Sequence, residues 1–156
     1  MTKQMLSDTE AAAWDSYQRM RVHLTERLNR ELSRKTGLSE ADFAILCALT
    51  QLPGEPVRAI ALRCGLEWEK SRLSHQLRRM EARGLITRED CAEDNRGSVV
   101  RITDAGRKLA AEARFHYEEA VRRYVTTVLS AEQMAALGAI AQTVLAQLDE
   151  PTPRHA

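Results

Sequence analysis

The sequence predicts a mainly α-helical chain with one small β-hairpin, and three observations carry that expectation. Ala, Leu, Arg and Glu are plentiful while aromatic residues make up only 4% of the 156 positions, which favours helices. Apolar residues recur every three or four positions through most of the chain, bracketed by capping signals and glycine stops. Only between Leu85 and Ile102 does the pattern change to short β-type runs flanking the turn residues Asp94, Asn95 and Gly97.

The elements follow in order. Ser7-Asp8-Thr9-Glu10 is a capping box, in which Ser7 and Glu10 each satisfy the other's backbone N–H. From there Trp14, Tyr17, Met20, Leu24, Leu28 and Leu32 repeat at helical spacing, predicting a helix of about seven turns stopped by Gly37. Ser39 caps a second helix with Phe43, Leu46 and Leu49 on one face, ended by Leu52-Pro53-Gly54. A short third helix runs from about Arg58 to Cys64, and Gly65 turns the chain into a fourth, Trp68 to Arg83, ending at Gly84. Leu85 to Arg88 is one strand, and Val100 and Ile102 mark the other by their period of two. The loop between them is long for a hairpin, and overlong loops are often functional. Thr103-Asp104 caps a fifth helix striped by Tyr117, Val121, Tyr124 and Val128. Ser130 and Gln133 form a second capping box, opening a sixth helix with Leu137, Ile140, Val144 and Leu148 on one side before Pro151 begins a tail.

A short helix, a glycine turn and a longer basic helix make a helix-turn-helix, and a hairpin directly after it makes the motif winged. The expected architecture is a winged helix-turn-helix lobe at 38–106 plus a helical dimerisation arm at 7–36 and 104–148, within a single domain 1–156. The arm is read as a dimerisation element because its apolar stripes are too long for so small a lobe to cover. The simplest partner is the same helices of a second copy.

Composition narrows the function classes. No apolar run approaches the roughly 18 residues of a membrane span, and MTKQMLSDTE lacks the apolar segment of a signal peptide, so a cytoplasmic protein is expected. Cys47, Cys64 and Cys91 are widely spaced with no CxxC, which suggests neither a zinc site nor a disulfide framework. The net charge of +1 conceals an asymmetry: Arg58 to Lys108 holds 12 Lys+Arg against 8 Asp+Glu, and the remainder 11 against 14. A basic middle is compatible with nucleic acid. No Ser/His/Asp order, paired carboxylates, glycine-rich phosphate loop or metal-ligand spacing stands out, so no enzyme, catalytic residue, cofactor or metal is expected.

On the fourth helix, at 100° per residue, Leu73, Leu77 and Met80 fall in one narrow sector. Opposite them lie Ser71, His75 and Arg78, flanked by Arg72 and Arg79, with Ser74 beside them. Hydroxyl, imidazole and guanidinium groups without a central carboxylate suit the major groove of DNA, where arginine grips guanine bidentately. A solvated helix face is the plainer alternative. A hairpin beside such a helix reaches the neighbouring minor groove. There Arg96 would insert, Asp94 would orient its guanidinium, and Arg88 and Arg101 would face phosphates. The plainer alternative is an exposed loop with a weak Asp94–Arg96 surface pair.

LSEADFAILCAL, KSRLSHQLRRMEARGLITRED and EDNRGSVVRITDAGR together resemble the MarR family of winged-helix transcriptional regulators. The resemblance rests on the close of the fourth helix in MEARGLITR, on the wing Asp94 to Gly97, and on Ile102 to Gly106. It is strongest from Leu38 to Gly106. It implies a homodimer joined through the first, fifth and sixth helices, binding a pseudo-palindromic operator on double-stranded DNA, usually as a repressor released by a small ligand. It also implies that the fourth-helix residues enter the major groove and Arg96 the minor groove. The family's hydroperoxide sensors carry a first-helix cysteine, absent here before Cys47, and its zinc sensors cluster ligands, whereas His23, His75, His116 and His155 are scattered.

Family ligands, often aromatic acids, bind near the crevice between arm and lobe. Trp14, Tyr17, Met20, Phe43 and His116 are therefore candidate ligand contacts, with core packing as the alternative. Cys47 fits a small apolar role, Cys64 a structural one, and Cys91 the most exposed position. Two alternatives to a ligand-released repressor stand beside it: a redox-responsive regulator using Cys91 or Cys47, and an interaction protein of this fold that has lost DNA binding.

Overall fold

The computed structural model describes residues 5–51, 56–90 and 97–149. Cys91, Asp94 and Arg96 of the wing, the Leu52-Pro53-Gly54 helix stop, Pro151 and His155 lie outside the described residues. The chain divides into two units, Met1–Glu118 and Glu119–Ala156.

The first unit opens with α1 (Asp8–Thr36), and its cap is the one expected. Glu10 N donates to Ser7 Oγ at 3.3 Å and Ser7 N to the Glu10 carboxylate at 2.8 Å, which holds that carboxyl below its usual range. Gly37, at φ 71°, adopts the left-handed conformation that closes the helix, its N–H reaching Ser33 O at 2.8 Å. Thr36, Leu38 and Ser39 then turn the chain into α2 (Glu40–Gln51), where Ser39 and Asp42 cap each other: Asp42 N reaches Ser39 Oγ at 3.1 Å and Ser39 N the Asp42 carboxylate at 2.9 Å. β1 (Val57–Arg58), α3 (Ala59–Leu66), α4 (Lys70–Ala82), β2 (Ile86–Asp90), β3 (Ser98–Ile102) and α5 (Asp104–Val121) follow.

Two local features depart from expectation. The sheet is three-stranded, in the order β1-β3-β2, all antiparallel. β1 is only two residues long, with Val57 opposite Val100 and Arg58 opposite Val99, so no period-two pattern could announce it. The turn between α3 and α4 is not made by Gly65, which lies inside α3. Glu67 makes it instead, at φ 54°. Its N–H and that of Trp68 close the helix onto Cys64 O at 3.3 Å and Arg63 O at 3.1 Å.

The core of this unit gathers Leu32 and Leu38 with Ile45, Leu46 and Leu49 of α2, Leu62 of α3, Leu73, Leu77 and Met80 of α4, and Ile86, Val100 and Ile102 of the sheet. Each such aliphatic contributes about 1.5–3 kcal/mol relative to exposure. α5 starts where Thr103 Oγ1 accepts from Gly106 N at 3.0 Å while donating to Gly84 O at 2.7 Å. Gly106 is there for space: a Cβ would strike the carbonyl oxygen of Leu85 and lie 2.9 Å from Ile102 Cγ1. These contacts fix α5 to the end of α4 and to the sheet.

In the second unit the helix widens into a π-helical turn at Arg122–Thr126. Thr127 Oγ1 donates to Arg122 O at 3.0 Å and to Arg123 O at 3.2 Å, offering the local backbone an alternative to regular α bonding. α6 (Ala131–Asp149) begins at the expected box, Gln133 N to Ser130 Oγ at 3.1 Å and Ser130 N to Gln133 Oε1 at 2.9 Å. No single helix among the described residues is long and apolar enough to cross a membrane.

Candidate nucleic-acid interface

α4 is placed by its buried face. Leu73, Leu77 and Met80 are buried as the angular reading expected, which turns Ser71, Arg72, His75, Arg78 and Arg79 outward as exposed residues, with Ser74 half-buried. The N-terminal end follows the Glu67 turn, with Trp68 half-buried against the core. The Arg72 guanidinium stacks over the Trp68 ring, 4.0 Å from its centroid, a cation–π contact that limits its freedom.

The sequence reading missed a polar layer beneath this face. Asp42 and Gln76 are both buried. Gln76 Nε2 donates to Asp42 Oδ1, and Arg79 Nη2 donates to Gln76 Oε1. Arg83 Nη1 donates to Asp42 Oδ2 at 2.8 Å and Nη2 to Gly37 O at 3.2 Å, so Asp42 and Arg83 together link the start of α2 and the end of α4 to the close of α1. Two signals were available. Ser39-x-x-Asp42 has the spacing of a cap, and Gln76 lies between Leu73 and Met80 at the edge of the core sector.

The hairpin holds its arginines differently from the expectation. Arg88, expected to face phosphates, is half-buried and clasped by Glu81. Its Nε and Nη2 donate to Oε2 at 2.9 and 2.7 Å, and its backbone N donates to Oε1 at 3.1 Å. These bonds hold the Glu81 carboxyl below its usual range. Arg101 on β3 is half-exposed, with Nε 4.0 Å from Glu89 Oε1, a separation at which an exposed pair contributes little. The ladder runs from Ile86 opposite Ile102 to Asp90 opposite Ser98, and Gly97 sits at φ 111°. Asp94 and Arg96 of the expected wing lie outside the described residues.

The candidate ligand contacts divide by environment. Trp14, Tyr17 and Met20 are exposed on α1, with the Trp14 and Tyr17 ring centroids 5.3 Å apart. Phe43 is half-buried against the core, its ring 5.3 Å from that of Tyr117, while His116 packs edge-on to Phe115 at the same spacing. Core packing thus holds for Phe43 and fails for the α1 residues within a single chain. Cys47 is half-buried, and its burial raises the thiol above its usual range despite the neighbouring Arg114, which disfavours a reactive thiolate. Cys64 is exposed, contrary to the structural role expected of it. Among the described residues no group of three or more His, Cys, Asp or Glu is placed to hold a metal.

Comparison with solved structures finds similar chains over nearly the whole length. AbsC from Streptomyces coelicolor, a MarR family transcriptional regulator, is 30% identical, with 96% of this chain and all of AbsC covered at a TM-score of 0.85. The chain belongs to the MarR family. Sco3205 from the same organism, a MarR family regulator solved in complex with DNA, is 31% identical over 98% of this chain and 96% of its own, also at 0.85. The MarR family model matches residues 38–98, which span α2 through the start of β3. The transcriptional regulator HosA from Escherichia coli O157:H7 is 36% identical over 76 residues, 49% of this chain and 55% of HosA, so the match spans about half of that relative. The outward face of α4 exposes Arg72, Arg78 and Arg79.

Proposed function

We propose that the protein is a homodimeric, sequence-specific DNA-binding transcriptional regulator, acting as a repressor that a small aromatic-acid-like ligand releases. The observation that carries the reading is α4: one face locked into the core, the other offering Ser71, Arg72, Ser74, His75, Arg78 and Arg79. A rigid helix with hydroxyl, imidazole and guanidinium donors and no competing central carboxylate meets the major groove without prior rearrangement. Glu81, the acid nearest the end of that face, is already neutralised by Arg88. The DNA-bound state of Sco3205 supports the same use of the fold here. Arg96, oriented by Asp94, serves the minor groove, and Arg101 the backbone. Arg88, committed to Glu81, contributes to phosphate binding chiefly by positioning the hairpin.

A second copy is supported by exposed apolar side chains on α1, including Trp14 and Met20, and on α6, including Ile140, Val144 and Leu148. The ligand reading draws on Trp14, Tyr17, Met20, Phe43 and His116 as aromatic and polarisable contacts. The redox alternative has the raised thiol of Cys47 against it.

Duplexes selected from a random library by the full chain test the reading. The selected sites should be pseudo-palindromes with half-sites about 10 base pairs apart, footprinted by a dimer. Arg78→Ala should cost about 1–3 kcal/mol on such a site and relax the preference at one base position. A protein that selects no duplex, or that binds a lone asymmetric half-site as a monomer, refutes it.

A further inference from the structure

The arginines on the outward face of α4 are not held alike. Arg79 is anchored from beneath: its Nη2 donates to Gln76 Oε1, and Gln76 Nε2 donates to Asp42 Oδ1. Gln76 and Asp42 are 4% and 3% exposed, respectively, so the bond between them is shielded from bulk water, while Arg79 reaches Gln76 from the exposed face. The orientation of the amide is forced, because an ionised carboxylate only accepts and a guanidinium only donates. Asp42 is fixed in turn by Ser39 N at 2.9 Å and by Arg83 Nη1 at 2.8 Å. A leucine at position 76 would extend the apolar face of Leu73, Leu77 and Met80. A buried amide instead stabilises only while both of its ends are bonded. Its two ends here join the rigid start of α2 to a side chain that emerges on the exposed face.

We propose that Asp42 and Gln76 are positioning residues for DNA reading: they hold the Arg79 guanidinium in a fixed place on α4, so that its remaining donors meet the duplex already ordered. The inference rests on the DNA-binding reading above. An arginine that is ordered only on contact loses rotamer freedom at that moment, and removing the anchor should therefore weaken binding by roughly two- to tenfold. The loss should fall on the specific site, where Arg79 must occupy one position, and little on non-specific DNA, where charge alone suffices.

The test uses the full chain at one fixed salt concentration, titrated against a duplex selected by the wild type and against a scrambled duplex of the same composition. Gln76→Leu should lose about two- to tenfold on the selected duplex and almost nothing on the scrambled one. Adding Gln76→Leu to Arg79→Ala should cause no further loss, because an anchor acting through Arg79 has nothing left to hold. A packing role would give additive losses. A polarity swap offers a second route that does not depend on tolerating leucine. Gln76→Glu alone sets two carboxylates together and should impair binding. Asp42→Asn with Gln76→Glu restores the sequence of donors and acceptors, since the asparagine amide donates to the new carboxylate and that carboxylate accepts from Arg79, and it should recover most of the affinity. Additive losses, an Arg79→Ala variant that binds like wild type, or no recovery in the swapped pair overturns the positioning role while leaving DNA binding intact. A wild type that selects no duplex overturns the DNA-binding reading and the positioning role with it.

Discussion

α4 and α6 are both amphipathic, yet they stand in opposite relation to their own chain. α4 buries Leu73, Gln76, Leu77 and Met80 and exposes arginines, whereas α6 buries no residue and exposes Ile140, Val144, Leu145 and Leu148. The position of α4 is determined inside one protomer, by core contacts and by the Asp42 network. α6 leaves side chains exposed that would each gain about 1.5–3 kcal/mol from burial. A helix fixed by its own chain suits presentation of donors to a rigid duplex, and a helix left uncovered suits assembly. The contrast separates residues whose loss should damage folding from residues whose loss should damage association.

The largest effect should come from α4. Leu77→Ala removes a side chain that is 2% exposed in the middle of the core and should cost about 2–5 kcal/mol, read as a lower urea midpoint with an unchanged slope. A loss below about 1 kcal/mol would mean that α4 is not seated as described. A smaller effect on folding, but a large one on assembly, is expected from Ile140→Asp. Ile140 is 63% exposed, so the substitution should leave the fold of one protomer nearly intact. A desolvated, unpaired aspartate in a dimer interface should nevertheless weaken self-association at least tenfold, or about 1.4 kcal/mol. Sedimentation across a concentration series measures this, and the wild-type melting temperature should rise with concentration while that of the variant should not. Identical association of both proteins would remove α6 from the interface.

The difference between the two helices also explains what the sequence could disclose. The capping boxes at Ser7 and Ser130 and the Leu73, Leu77 and Met80 sector depend on neighbours within a turn or two, and the structure reproduces them. Features that depend on distant partners were not legible. β1 exists because Val57 and Arg58 meet β3 more than 40 residues later, too short a run to show a period. Glu67 adopts a left-handed turn that Gly65, two positions earlier, would have been the better chemical guess for. What sets Gln76 apart from the other polar residues of this basic helix is a partner, Asp42, on another helix. The candidate site shows the same division. The outward set on α4 follows from angle alone, but that Arg72 rests on Trp68, Arg79 on Gln76 and Arg88 on Glu81 follows only from the fold. The wing residues Asp94 and Arg96 keep the standing that the sequence and the family resemblance confer on them.

The smallest effect belongs to the clasp between the two basic elements. Glu81, at the end of α4, accepts two bonds from the Arg88 guanidinium and one from the Arg88 backbone N–H, and these hold its carboxyl below the usual glutamate range. A carboxyl whose folded value is depressed favours the folded state wherever it is ionised in both states. That contribution is complete above the unfolded value of about 4.3 and is lost as the pH falls through the lower folded value. The wild type should therefore lose a small increment of stability on acidification below about pH 4.3 that Glu81→Gln lacks, because glutamine does not titrate there. The difference between the two melting temperatures should be constant near neutrality and narrow in acid. The same variant loosens the clasp that positions the hairpin while freeing the Arg88 guanidinium near DNA, two opposed effects, so binding to the selected duplex should change little at neutral pH. If the two melting curves keep the same separation down to the lowest pH at which both proteins remain folded, Glu81 is not titrating against Arg88 and the clasp does not link α4 to the hairpin in solution.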